Sequence, residues 1–287
     1  MNYLWCKPFV RPGGWGCGSL PEALAALGLV YEEGQQRAKA LAAAGAVGWH
    51  ELPPAKQFPP LLVVVDEVTA LLAPRRVPAG IPKDHPYRAE ALEENLLHAA
   101  LDRYLQKIIA EMRFVRVRAL IASQVVNDRT GVGPSLKAKI GHHVLCGTNP
   151  SKTARSQALA DEASVPDVPD NVRSDQRAGQ GVGVAELEGR APCVFKSYYA
   201  TTDQYKEALA ELGVPTTSRP GPSSAEVARH APSLSDSVDS APGRDVPPKV
   251  AGADDWDVDP GTGQKLTGFE RANMARHIAT ERAKGSG

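Results

Sequence analysis

The chain lacks the materials for several kinds of chemistry. Its 287 residues include only four cysteines, Cys6, Cys17, Cys146 and Cys193. None stands at C-x-x-C spacing, and no histidine pair completes a zinc pattern. A structural zinc site and a disulfide framework are therefore excluded, and the thiols read as reduced groups in a cytosolic protein. Neither sign of charge is in excess, since 33 Lys plus Arg balance 33 Asp plus Glu. Bulk electrostatics thus predicts no nucleic-acid partner, and any basic surface must be local. No apolar run approaches the roughly 20 residues that span a bilayer. The opening MNYLWCKPFVRPGG has no long apolar stretch leading to a small-residue cleavage site, so it is not a signal peptide. A soluble, cytoplasmic chain is expected, reaching a membrane only through partner chains. Its length suffices for one large domain with a tail, or for two domains.

What is present is an alternation of helical and extended segments. Residues 20–44, LPEALAALGLVYEEGQQRAKALAAA, are rich in Ala, Leu and Glu and favour helix, with Gly28 and Gly34 expected to break or bend it. Pro59 and Pro60 punctuate the chain before LLVVV, 61–65. That run is aliphatic at every position, which predicts a central parallel strand covered by helices. Residues 90–112 carry Leu92, Leu96, Leu101, Leu105, Ile108 and Met112 near helical spacing and predict one apolar stripe. Further strands are expected at 116–124, 142–147 and 193–199, and further helices at 151–163 and 203–213, the last closed by Gly213. Strands separated by helices imply an α/β fold with a mainly parallel sheet.

Composition changes near residue 215. PTTSRPGPSSAEVARHAPSLSDSVDSAPGRDVPPKV is dense in Pro, Ser and Gly and poor in large apolar residues. Such a segment buries too little surface to offset its ordering entropy, so 216–262 is expected to be disordered linker, acidic around Trp256. Residues 263–287 follow, with Thr267 and Glu270 at capping-box spacing and Phe269, Met274 and Ile278 roughly on one side. They predict a short basic amphipathic helix.

The informative stretch is LLVVVDEVTALL, 61–72, in which an aliphatic strand runs into Asp66 and Glu67. Loops at the carboxyl ends of parallel strands carry the ligands of such sheets, and Gln124 falls at the end of the next expected strand. In that position Asp66 can hold Mg²⁺ through water, because Mg²⁺ prefers hard oxygen ligands. Glu67 can orient and polarise an attacking water, and Gln124 can hydrogen-bond a γ-phosphate or that water. The alternative is a pair that only ends the strand and starts a helix. The glycine-rich GGWGCGS, 13–19, has Gly13 and Gly18 at phosphate-loop spacing. Ser19 and Leu20 stand where the lysine and the hydroxyl residue are needed, so it reads as an ordinary loop. His142 and His143 read as strand-edge residues.

The order of these segments resembles the FtsK/SpoIIIE family of hexameric DNA translocases, in particular the actinomycete branch that moves conjugative plasmids as double-stranded DNA. RAKALAAAGAVGWHEL (37–52) looks like the helix and turn ahead of Walker B, and LLVVVDEVTALL like the Walker B strand. AEMRFVRVRALIASQ (110–124), GPSLKAKIGHHVLCG (133–147) and SKTARSQALAD (151–161) look like the three segments that follow. The resemblance implies a partial RecA-like P-loop NTPase core over roughly 20–205, acting with ATP and Mg²⁺ on double-stranded DNA in a homo-oligomeric ring. It makes Asp66 and Glu67 the Walker B pair and Gln124 the γ-phosphate sensor. It offers Arg155 as an arginine reaching a neighbouring subunit's nucleotide, one residue out of register, or else a surface arginine. It also places Arg129, Lys137 and Lys139 in loops that would meet DNA phosphates without reading bases; a solvated charged loop is the alternative. The family's phosphate loop lies upstream of the segment matched to 20–44, and its membrane-spanning part and winged-helix domain have no counterpart here. The chain is therefore expected to be the C-terminal part of a motor domain, inactive alone. Rival readings are a non-catalytic adaptor that binds a full-length motor ring or DNA through its tail, a split motor whose phosphate loop comes from a second chain, and an unrelated α/β protein.

Overall fold

The computed structural model describes residues 3–124, 132 and 134–232. All belong to the first of the two units into which the chain divides, Met1–Asp236 and Ser237–Gly287. Arg129, the later part of the expected linker and the expected helix over 263–287 lie outside the described residues. The elements are α1 (Leu20–Ala43), β1 (Leu61–Val65), α2 (Val68–Leu72), α3 (Pro86–Glu111), β2 (Val117–Ile121), α4 (Pro134–Lys137) and β3 (His142–Cys146). These are followed by α5 (Lys152–Ala158), α6 (Asp170–Arg173), α7 (Gln176–Gly179), β4 (Val182–Leu187), β5 (Cys193–Lys196), α8 (Thr202–Glu211) and α9 (Ser224–His230). Among the described residues no helix is long and apolar enough to cross a membrane.

Helix α1 starts where the Ser19 side chain accepts the Glu22 amide, with Pro21 in the first turn. It ends at Gly45, whose φ of 67° is glycine territory. There the Ala46 amide donates to Leu41 and the Gly45 amide to Ala42, which satisfies the last carbonyls. The helix runs unbroken through Gly28 and Gly34, against expectation. Both glycines are sites of close approach: a Cβ at Gly28 would lie 2.3 Å from His230 Nδ1, and one at Gly34 would lie 2.2 Å from Met112 Sδ. In α3 the apolar stripe is shifted from the expected one. Leu92 is exposed, while Ala91, His98, Leu101, Leu105 and Ile108 face the core.

The two long helices pack on one face of a two-stranded parallel sheet. β1 and β2 pair in register from Leu61 with Val117 to Val65 with Ile121. Val63, Val65 and Val117 join Leu24, Leu41, Leu101, Leu105 and Ile108 in the main core. Each such side chain contributes about 1.5–3 kcal/mol by leaving water. Arg37 of α1, only 6 % exposed, aligns the two strands. Its Nε donates to Glu33, and its Nη1 donates to the carbonyls of Pro59 (2.9 Å) and Val115 (3.2 Å), one just ahead of each strand.

The expectation of a mainly parallel sheet fails for the later strands. β3, β4 and β5 form a separate antiparallel sheet in that order. Connection length accounts for the second pairing: only five residues separate β4 from β5, with Gly189 at φ 77°, and so short a link returns the chain antiparallel. Sequence reading missed β4 because Gly181 and Gly183 depress strand propensity. Gly183 is required by packing, since the Phe195 ring lies 2.8 Å from where its Cβ would be. A smaller core of Leu159, Val165, Val168, Val182 and Val184 backs this sheet.

The start of the expected linker is folded. Ser223 and Glu226 form a capping box that opens α9. α9 lies along α1, with Arg229 donating to Glu32 at 2.9 Å and His230 buried beside Gly28. The capping residues sit inside a Pro/Ser/Gly-rich stretch, so bulk composition hid them.

Candidate functional site

The carboxyl ends of β1 and β2 bring Asp66, Glu67 and Gln124 to one edge of the sheet. The ladder continues past the strands: the Ala122 amide donates to Val65 (2.8 Å) and the Val68 amide to the Ala122 carbonyl (3.0 Å). These two bonds pin the step that carries the acidic pair. Glu67 takes that step in the left-handed region, at φ 51° and ψ 49°, and heads α2. An ordinary side chain pays about 1 kcal/mol or more there, and such strain gathers at functional positions. The turn points the Glu67 carboxylate toward β2, where Gln124 Nε2 donates to Glu67 Oε1 at 2.6 Å.

Helix α3 holds this edge from behind. The imidazole N–H of His98, a buried residue, donates to the Leu71 carbonyl with Nδ1 2.6 Å from the oxygen. The Asn95 side chain accepts from the Arg75 amide and donates to its carbonyl. The C-terminal end of α2 and the segment after it are thus fixed from α3, as the Val68 amide fixes its first turn to β2, which preorganises the acidic pair. Tyr3 also reaches the site, a residue that sequence reasoning gave no role. The nearby Asp66 carboxylate, with burial, holds the Tyr3 phenol above its ordinary pKa. No local sequence signal links residues 3 and 66; only the fold does.

The other candidates are placed elsewhere. The Arg155 guanidinium donates to the carbonyls of Glu162 and Val165 and pairs with Asp167 at 3.3 Å, with its side chain 14 % exposed. It therefore secures the 162–167 loop of its own chain. Lys137 donates to the carbonyls of Ser156 and Leu159, tying α4 to α5. Lys139 donates to Gln106 of α3 at 2.8 Å. The expected cationic cluster is thus engaged internally at two positions, and the third, Arg129, lies outside the described residues. His142 and His143 do lie on β3, an edge strand. In the glycine-rich loop the amides of Gly13 and Trp15 donate to Arg219 and Pro220, and that of Gly14 to Arg11. Amides so committed cannot cradle a phosphate.

The acidic edge can offer hard oxygens to a cation and an oriented carboxylate to a water. Among the described residues no group of three or more His, Cys, Asp or Glu could hold a metal. A Mg²⁺ ion here would take most of its ligands from water and phosphate, which suits that ion. Asp66 and Glu67 fit that part; the phosphate cradle is not among the described residues.

No family model matches the sequence, and no curated protein matches it. Solved structures do. The cytoplasmic domain of the type VII secretion ATPase EccC from Thermomonospora curvata aligns with a TM-score of 0.36 and 18 % identity over 63 % of this chain and 18 % of that one. The pCW3 conjugation coupling protein TcpA, in its monomer form with ATPγS, aligns with a TM-score of 0.51 and 16 % identity. That alignment covers 68 % of this chain and 49 % of the other, so the chain spans about half the length of TcpA. At this identity the likeness is one of fold: over 68 % of its length the chain is similar in fold to a conjugation coupling protein.

Proposed function

We propose that the chain is part of the motor domain of an FtsK/SpoIIIE-type, ATP-driven translocase of double-stranded DNA, serving plasmid transfer or segregation. In this reading the domain is RecA-like in fold and works in a ring. The observation that carries the proposal is the 2.6 Å bond between Gln124 and Glu67 across the ends of two parallel strands, with Glu67 held in a strained turn. Asp66 would hold the Mg²⁺ of a bound nucleotide through water. Glu67 would orient the attacking water and accept its proton, and Gln124 would report the γ-phosphate by exchanging its bond to Glu67 for one to phosphate. ATP and Mg²⁺ supply the reactive phosphoryl group and its charge neutralisation; the chain's own residues position the water. Arg155, Lys137 and Lys139 take no part in this reading, because their cationic groups already hold the chain's own carbonyls and side chains.

The chain alone should hydrolyse ATP negligibly, since no G-x-x-x-x-G-K-[ST] occurs in its sequence. The test is phosphate release with MgATP and double-stranded DNA, for the chain alone and after mixing with a motor chain that bears a phosphate loop. A rate appearing only in the mixture and lost with Glu67→Gln is expected. A mixed rate indifferent to Glu67→Gln would remove these residues from the chemistry. A robust Glu67-dependent rate from the chain alone would overturn its inactivity.

A further inference from the structure

The face of the β1–β2 sheet turned away from α1 and α3 is open. Leu62 and Val64 on β1 are 58 % and 55 % exposed, and Leu120 on β2 is 56 % exposed. Pairing sets Leu62 beside Arg118 and Val64 beside Leu120, so these four side chains share one face. The alternation along β1 leads next to Asp66, which is also exposed, as is Arg118. Along the strands the face therefore reads basic at one end, apolar in the middle and acidic at the other. Arg118 is fixed at its end by bonds from Nη1 to the carbonyls of Arg113 and Val117. Parallel sheets are normally covered on both faces, because their strands are apolar on both sides. Among the described residues nothing covers this one.

The charge order names an occupant. A two-fold axis lying between two stacked sheets and perpendicular to their strands reverses strand direction. It lays the apolar middle of one copy on that of the other and brings each basic end to the partner's acidic end. At this stacking Arg118 sits opposite Ala122 of the partner, one strand spacing of about 4.8 Å from the partner's Asp66. That is within reach of a guanidinium. Asp66 keeps acceptor capacity beside Tyr3, since a carboxylate offers about four lone-pair sites. A self-complementary patch is what an isologous dimer requires. We infer that two copies of this chain associate face to face through Leu62, Val64 and Leu120, with Arg118 of each paired to Asp66 of the other. In this dimer each Asp66 is engaged by the partner's Arg118 and is not free to hold Mg²⁺, so the dimer and the nucleotide-handling ring of the proposed function are alternative states of the chain.

The test is sedimentation velocity on the full 287-residue chain, from about 1 to about 100 µM, where an interface at the small end of the stable range saturates. A monomer–dimer equilibrium is expected. Leu120→Asp should abolish the dimer. Arg118→Asp alone should raise the dissociation constant about tenfold or more, and adding Asp66→Arg to it should restore association by reversing both charges. Circular dichroism on each variant confirms that it folds. A chain that stays monomeric throughout overturns the inference. So does a dimer indifferent to Leu120→Asp, or an Arg118→Asp defect that the second reversal does not repair. Binding of a different polypeptide to this face by a monomeric chain counts among the overturning results.

Discussion

Gln124 Nε2 donates to Glu67 Oε1 at 2.6 Å, joining residues 57 positions apart across the ends of β1 and β2. The bond exists because Glu67 adopts a left-handed backbone that turns its side chain toward the neighbouring strand. A right-handed residue there would carry the carboxylate off along α2. The site is thus made by a backbone conformation as much as by a residue type.

That conformation separates stability from function at one position. Glu67→Gly removes the steric cost of φ 51°, and its carboxylate is exposed. Urea unfolding should show the variant as stable as the parent or more so, by up to about 1 kcal/mol. In the mixed ATPase assay the same variant should be silent. A loss of stability above about 1 kcal/mol would mean that the side chain, through Gln124, holds the edge together.

Arg37 should be among the costliest residues of α1 to remove. Arg37→Ala leaves the carbonyls of Pro59 and Val115 without their donor and Glu33 without its close partner. About 3 kcal/mol of destabilisation is expected from these buried groups. Arg37→Lys should recover only part of it, since an ammonium cannot match the fork. Chemical denaturation of both variants checks the order.

The two glycines of α1 should respond differently to alanine. At Gly28 the new methyl meets the whole His230 ring, at 2.3 Å from Nδ1 and 2.5 Å from Cε1. Gly28→Ala should displace α9 and cost about 1–3 kcal/mol. At Gly34 the obstacle is the Met112 thioether, the adaptable part of a flexible side chain. There the gain in helix propensity, up to about 1 kcal/mol, offsets the repacking. Thermal melts should show a clear drop for the first variant and little change for the second.

Acid should release α9 in two stages. Burial holds the His230 pKa below its ordinary 6.5, so the docked helix prefers the neutral ring. The undocked form then binds the proton first, and this contribution, complete above pH 6.5, is lost as pH falls through the depressed value. The Ser223 backbone and side chain, with Arg219, hold Glu226 down from 4.5 to about 2. Its contribution is complete above pH 4.5 and lost as pH falls toward 2. Hydrogen exchange of the α9 amides should therefore accelerate below pH 6.5 beyond the intrinsic trend, and again below 4.5. His230→Gln should abolish the first stage alone.

The sequence by itself determined α1, α3, β1, β2 and the acidic edge. These depend on local patterns: an Ala/Leu-rich run after a serine cap, a helical apolar stripe, an aliphatic strand ending in Asp66 and Glu67. Gln124 was legible because it ends a strand. Other features depended on contacts between distant residues. The glycine that ought to interrupt α1 was instead the seat of His230, 202 positions on, and Arg155 and Lys137, cationic in any reading, were drawn inward by carbonyls that only the folded chain presents. β4 was hidden by Gly181 and Gly183, the second of which Phe195 requires, and α9 by the proline-rich composition around its capping box. Periodicity and capping act within a few residues and leave their mark in the sequence. Pairing, close approach and hydrogen-bond satisfaction act through space, so only the tertiary structure decided which sheet each strand joined, which cations stayed at the surface, and that Tyr3 would meet Asp66.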